Sequence, residues 1–204
     1  MSIESLYILI LVLPLLTAVG VLICHKNENI RESVTLLGGV SLFIAIVTLA
    51  LNYDFEQTVR LTLFEPFPNL SIALELEPLG LIFTLVAGFL WPVTSLYAIG
   101  YMRGHHEKNQ TRFYFAFAIS IFATMALALS ANLLTLFLAY ELLTLFTLPL
   151  VTHAGTPAAR RAGWTYLGIL MTTSIGFLLL AIIWTWTITG TLDFTVGGIL
   201  DGKA

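Results

Sequence analysis

Six long apolar stretches alternate with short polar segments along this chain. They cover approximately residues 5–24, 34–51, 79–101, 113–130, 132–152 and 164–188. A helix rises about 1.5 Å per residue, so about 20 apolar residues cross the roughly 30 Å of hydrocarbon in a bilayer. The pattern therefore predicts six transmembrane helices. Because a single helix over 113–152 would be too long for one crossing, we expect a tight turn at Ser130-Ala131-Asn132.

The segment between the second and third apolar stretches has a different pattern. Apolar and polar residues alternate over 59–64 and again over 72–77, and the intervening residues 65–69 are rich in turn formers. This pattern predicts a β-hairpin over about 59–77, which we place on the outer membrane surface. Two strands alone are marginally stable, so we expect the hairpin to pack on a partner subunit or on another part of a larger assembly.

The predicted fold class is thus an all-α membrane protein, with six transmembrane helices and an extracytoplasmic β-hairpin between helices 2 and 3. We divide the chain into three segments. Residues 1–101 hold three helices and the hairpin, residues 102–190 hold helices 4–6, and residues 191–204 form a polar tail.

Composition excludes several classes of protein. Hydrophobic residues make up 58% of the 204 residues and charged residues only 10%, whereas a soluble domain carries about 25% charged residues. The net charge of −3 offers no basic surface for nucleic acid. The single cysteine, and the lack of zinc or haem spacing among Cys and His, predict no metal and no cofactor.

The distribution of basic residues predicts the orientation of a multi-pass protein in the cell membrane. Cytoplasmic loops carry an excess of Lys and Arg. Only Arg60 and Lys203 lie outside the first, third and fifth connections. These three connections contain Lys26, Arg31, Arg103, Lys108, Arg112, Arg160 and Arg161. We therefore predict that the three connections are cytoplasmic and that both termini lie outside.

Glu141 is the residue most strongly suggested to carry chemistry. It lies about nine residues from the outer end of helix 5, which places it roughly 13 Å deep. A charged residue at a helix centre costs about 2.5–3.5 kcal/mol on insertion scales, and such residues usually mark ion or proton pathways. The competing interpretation is a packing role, in which Thr144 or Thr147 supplies a hydrogen bond.

Three basic residues near the inner surface are auxiliary candidates. His153 lies about twelve residues from Glu141, roughly 18 Å along a helix, which excludes a direct bond. It is either an interfacial histidine or part of a water-linked relay. Arg160 and Arg161 satisfy the positive-inside rule, and their alternative role is an electrostatic partner at the inner end of an ion path.

Several sequence motifs resemble the proton-antiporter-like membrane subunits. This family is shared by respiratory complex I, membrane-bound hydrogenases and multisubunit Na⁺/H⁺ antiporters. The motifs are YAIGYM at 97–102, FYF at 113–115, ANLLTLFLAYELL at 131–143 and AARRAGWTYL at 158–167. The hairpin between helices 2 and 3 is also similar to this family.

The resemblance implies that Glu141 matches the glutamate on helix 5 that serves in proton translocation, and that 102–190 is the start of the antiporter-like core. Family members are longer, and the lysines of their helices 7 and 8 have no counterpart here, since no Lys lies in the six predicted spans. The resemblance therefore covers only the N-terminal half of such a subunit. It implies a partner chain that supplies helices 7 onward, or else a truncated remnant.

We therefore expect one half of a subunit that takes part in H⁺ or Na⁺/H⁺ translocation within a multisubunit membrane complex. The chain would be a transporter-type subunit. If the complex is an NADH:quinone oxidoreductase or a hydrogenase, we expect the redox site to lie outside this chain. The alternative is a structural membrane subunit that does not transport ions. The residues favour neither H⁺ nor Na⁺ as the transported ion.

Overall fold

The computed structural model describes residues 2–54, 59–67 and 70–202, with the backbone alone at residue 67. Six helices within these ranges are long and apolar enough to cross a membrane. The elements in chain order are α1 Ile3–Ile23, α2 Glu28–Leu51, β1 Arg60–Phe67, β2 Leu70–Glu75, α3 Pro78–Gly104, α4 Gln110–Ala128, α5 Leu133–Val151 and α6 Pro157–Thr189. The six predicted spans, the hairpin between helices 2 and 3, and the turn between α4 and α5 are confirmed. Residues 68–69 of the predicted turn lie outside the described residues.

Two helices begin earlier than their apolar stretches. The Asn27 side chain accepts a hydrogen bond from the Ile30 amide and caps α2, which therefore includes the charged residues 28–32. Thr156 caps α6 in the same way, and Pro157 occupies the first turn. Asn and Thr are preferred caps, and proline is favoured at the first helical position. The prediction from hydrophobicity therefore located the apolar parts of these two helices but not their polar first turns.

Helices α1 to α4 form the core of the protein. Their largest buried side chains include Tyr7, Leu42, Trp91 and Met125. Helix α5 packs mainly against α4, and α6 packs on α5. Only 11% of the most apolar stretch of α6 is buried, the smallest share of the six spans in the described chain.

The hairpin packs on its own chain. Strands β1 and β2 are antiparallel, and Leu74 of β2 forms a bridge with Ser130 in the turn between α4 and α5. The Glu75 amide donates to the Leu129 carbonyl at 2.7 Å, and the Ala131 amide donates to the Ala73 carbonyl at 3.0 Å. The hairpin therefore packs against the turn between α4 and α5 of its own chain.

The first residues after α6 join the same assembly. The Leu133 amide donates to the Leu192 carbonyl at 3.0 Å, and Leu192 is buried. Arg60 of β1 forms an ion pair with Asp193 at 2.8 Å. These contacts connect three parts of the chain at one end of the bundle: the hairpin, the turn between α4 and α5, and the end of α6.

A close contact between α3 and α4 predicts a large effect of a small substitution. A Cβ atom at Gly80 would lie 2.3 Å from the Ala128 carbonyl oxygen, whereas nothing lies within 4 Å of a Cβ at Gly100 on the same helix. Because a backbone atom must move, we expect Gly80→Ala to destabilise the protein by about 1–3 kcal/mol. Gly100→Ala is the matched control and should be neutral or slightly stabilising. Unfolding in denaturing detergent measures both, and equal stability of the two variants would contradict the contact.

Candidate functional site

Glu141 lies in the middle of α5. It is eight residues from Leu133, about 12 Å along the helix axis. Neighbouring positions show which side it faces. Phe137 clusters with Ile182 of α6, and a Cβ at Gly163 of α6 would lie 3.2 Å from Leu148. Because residues at i, i+4 and i+7 share a helix face, Glu141 belongs to the face of α5 that packs against α6.

The carboxyl group of Glu141 is buried and has no partner. Neither oxygen forms a hydrogen bond with any residue that the structure describes. The ion pairs among the described residues all involve side chains other than Glu141. Leaving such a group buried and unpaired costs free energy. Acids within membrane helices are rare, and they often mark ion or proton pathways.

The threonines of α5 do not serve as partners for Glu141. Thr144 is buried, but its hydroxyl donates to the Tyr140 carbonyl at 3.0 Å. The Thr147 hydroxyl donates to the Thr144 carbonyl at 3.0 Å. Both hydroxyls thus bond to the backbone of their own helix. The alternative in which these threonines satisfy the carboxyl group finds no support in these contacts.

Helix α6 is irregular beside this site. Residues Ser174–Leu179 form a π-helical segment, and Tyr140, adjacent to Glu141 in α5, lines one recess together with Thr173 and Ser174. Single-turn π segments inside α-helices are rare and often occur at functional sites. The buried acid therefore faces a helix whose regular hydrogen bonding is interrupted close to it.

The auxiliary candidates lie at one end of the bundle. His153 follows the end of α5, and Arg160 lies exposed in the first turn of α6, where both line one pocket. Arg161 is exposed and does not line this pocket. The structure thus brings His153 and Arg160 together at one pocket. His153 follows Glu141 by twelve residues, which corresponds to roughly 18 Å of helix.

The ring of His153 packs against its neighbours without a hydrogen bond among the described residues. The Arg112 guanidinium donates to its backbone carbonyl at 3.2 Å, and Phe113 packs edge-on against the ring. Neither ring nitrogen has a hydrogen-bond partner among the described residues. Burial, and to a lesser extent Arg112, lowers the pKa of His153, while Glu107 acts in the opposite direction.

A buried charge cluster joins α2, α3 and α4, and sequence reasoning did not predict it. Arg31 is 4% exposed and donates to the Gln110 side-chain carbonyl at 2.7 Å. It also lies 3.8 Å from the buried carboxylate of Glu32. Arg103 of α3 forms a second ion pair with Glu32. The Arg31 guanidinium lies over the Tyr114 ring, 5.4 Å from its centroid.

A sequence signal for this cluster was available. Asn27 followed by Glu28 is typical of a helix N-terminus, and a helix that begins there includes Arg31 and Glu32. The positive-inside rule explains Arg31 and Arg103 as loop cations and gives no reason to pair them. Only the packing of α2 against α3 shows that both cations meet the buried carboxylate of Glu32.

Part of the chain matches a known family. The family described as NADH:quinone oxidoreductase/Mrp antiporter, transmembrane, matches residues 130–198, which contain all of α5, α6 and Glu141. The resemblance seen in the sequence motifs is thereby confirmed over this segment. No curated protein sequence matches the chain.

The fold is similar to that of a chain in the membrane-bound sulfane sulfur reductase, an archaeal respiratory membrane complex. The TM-score is 0.74 and the sequence identity is 20%. The match covers 90% of this chain and 28% of that chain, so this chain spans little more than a quarter of its length. At this identity the similarity establishes the fold.

Proposed function

We propose that this chain is part of an antiporter-like subunit that takes part in proton or Na⁺/H⁺ translocation within a multisubunit membrane complex. The observation that carries the proposal is the buried, unpartnered carboxyl group of Glu141 in the middle of α5. It lies within the segment that matches the antiporter family. The test is ion flux through the assembled complex when Glu141 is replaced by Gln.

Elementary electrostatics gives Glu141 a role as a protonatable group. Burial in a low-dielectric environment favours the neutral carboxylic acid, and a cation brought close favours the carboxylate. A cation that approaches and withdraws therefore makes the group release and rebind a proton. The ion pairs of the described residues leave Glu141 without such a cation, so in this proposal a partner chain supplies it.

The exposed face of α6 supports a partner chain that supplies helices 7 onward. Thr165, Thr172 and Thr173 are exposed on this face, and the hydroxyls of Thr165 and Thr173 bond to carbonyls of α6. Small polar residues of this type mediate contacts between membrane helices. A helix that packs there would lie beside the π segment and close to Glu141.

The basic residues have subordinate roles. His153 lies too far along the chain from Glu141 for direct proton transfer, so it acts on Glu141 only through water or through its electrostatic field. Arg160 acts as an electrostatic partner at the inner end of the path. Arg161 contributes to the field alone. Seven of the nine Lys and Arg residues belong to the first, third and fifth connections and adjoining turns, which supports the proposed orientation with this end cytoplasmic and both termini outside.

A structural subunit that does not transport ions is the second candidate. Leu63 and Phe64 of β1 are exposed, and an apolar strand surface of this kind favours a contact with another subunit. This candidate predicts that Glu141→Gln assembles and supports normal flux. Ion flux in the assembled complex therefore separates the two functions.

A further inference from the structure

A polar pocket lies at one end of the bundle, where the connection between α3 and α4 meets the connection between α5 and α6. Its volume is about 410 Å³, and its ionisable lining residues are His106, Glu107, Lys108, His153 and Arg160. The two connections are far apart in sequence. Arg112 in the first turn of α4 joins this helix to the connection between α5 and α6, because its guanidinium donates a hydrogen bond to the His153 carbonyl.

The positive charges of this pocket outnumber its acidic residue. Lys108 and Arg160 are exposed, and neither takes part in an ion pair in the described part of the chain. Glu107 is the acidic residue among the lining residues. Two cations therefore face one pocket with a single carboxylate, which leaves a net positive charge there.

A further feature points to an acceptor-rich ligand. Helix α4 begins at this pocket, and the side chain of its N-cap residue, Asn109, makes no capping hydrogen bond. The first amides of α4 therefore add donors and positive potential at the same place.

We propose that this pocket binds a phosphate group, held by Lys108 and Arg160. Phosphate provides several acceptor oxygens and a negative charge, which match the unpaired cations and the helix N-terminus. This binding site is separate from Glu141 and does not depend on ion translocation.

The position of the pocket favours the phosphate of a lipid head group. The pocket lies where α4 and α6 begin and α3 and α5 end, and the ends of transmembrane helices reach the head-group layer. Basic pockets between transmembrane helices bind anionic head groups in this way. Free inorganic phosphate has the same chemistry, so an experiment must separate the two sources.

The test measures phosphate-group binding by the full chain in its native complex after delipidation. Phosphatidylglycerol is titrated in phosphatidylcholine nanodiscs, and bound lipid is counted by native mass spectrometry. Inorganic phosphate is titrated separately without phosphatidylglycerol. The variant is Lys108→Gln with Arg160→Gln. The control is Lys26→Gln with Arg161→Gln, which removes the same charge from the same end of the bundle, outside the pocket.

We expect the double variant to weaken phosphatidylglycerol binding by about tenfold or more, through loss of two charge-assisted contacts, and the control to bind as the wild type does. The charge-conserving pair Lys108→Arg with Arg160→Lys should retain binding. Binding of inorganic phosphate alone, with the same dependence on Lys108 and Arg160, would support the site with a free anion as its ligand. Equal binding by variant and wild type, or equal weakening by the control, would overturn the proposal.

Discussion

Glu141→Gln is expected to lower ion flux by about 100-fold, because a positioned proton-transfer group contributes factors of this order. Glutamine has nearly the shape of the protonated acid but cannot release a proton. The carboxyl oxygens have no hydrogen-bond partner in the described chain, so the substitution breaks no protein contact there. The measurement is proton or Na⁺ uptake by sealed membrane vesicles that contain the assembled complex.

Two further variants make this result interpretable. Glu4→Gln removes an exposed carboxylate at the start of α1 and should leave flux unchanged. Glu141→Asp keeps a titratable group near the same position and should retain more flux than Glu141→Gln. Normal flux through an assembled Glu141→Gln complex would eliminate the transport role and favour a structural subunit.

Glu32→Leu is expected to destabilise the protein by about 3–5 kcal/mol, because removal of one partner leaves a buried charge uncompensated. Glu32 pairs with Arg31 and Arg103. Without the carboxylate, the side-chain hydrogen bonds that the 4% exposed Arg31 keeps with described residues go to neutral acceptors on Gln110 and Thr111. Unfolding of the detergent-solubilised protein by a denaturing detergent measures the loss.

The same helix provides the control for this prediction. Glu28 lies one turn before Glu32 and is exposed, so Glu28→Leu should change stability little. Adding Arg31→Met to Glu32→Leu should recover much of the lost stability, since an apolar pair can replace a buried ion pair at little cost. If the double variant were as unstable as Glu32→Leu, the uncompensated charge of Arg31 would not be the cause.

Much of the fold follows from the sequence because a bilayer imposes a simple constraint. Backbone groups in hydrocarbon must be satisfied within each span, so a long apolar stretch is almost always a helix. The alternation over 59–64 and 72–77 likewise indicated the hairpin, and the structure has strands over 60–67 and 70–75. Helix ends were less predictable, because capping by Asn27 and Thr156 extends α2 and α6 into polar sequence.

The candidate site was predictable only in part. The cost of an acid at mid-membrane singled out Glu141 before any contact was known. The sequence did not reveal that its oxygens lack partners, since Thr144 and Thr147 have suitable spacing on the same helix. Their hydroxyls donate hydrogen bonds to carbonyls of their own helix instead. Residue spacing does not determine which acceptor a threonine hydroxyl uses.

The amino-acid pattern was enough to predict the six spans and the hairpin and to single out one acid in the middle of a predicted span, because hydrophobicity and the period of the chain act locally. Which polar groups meet depended on packing. Packing joined Arg103 to the buried carboxylate of Glu32, and brought Lys108 to the same pocket as Arg160. It also placed the π segment of α6 beside α5. These contacts join residues that are distant along the chain, and their free energy depends on burial and geometry that no local pattern encodes.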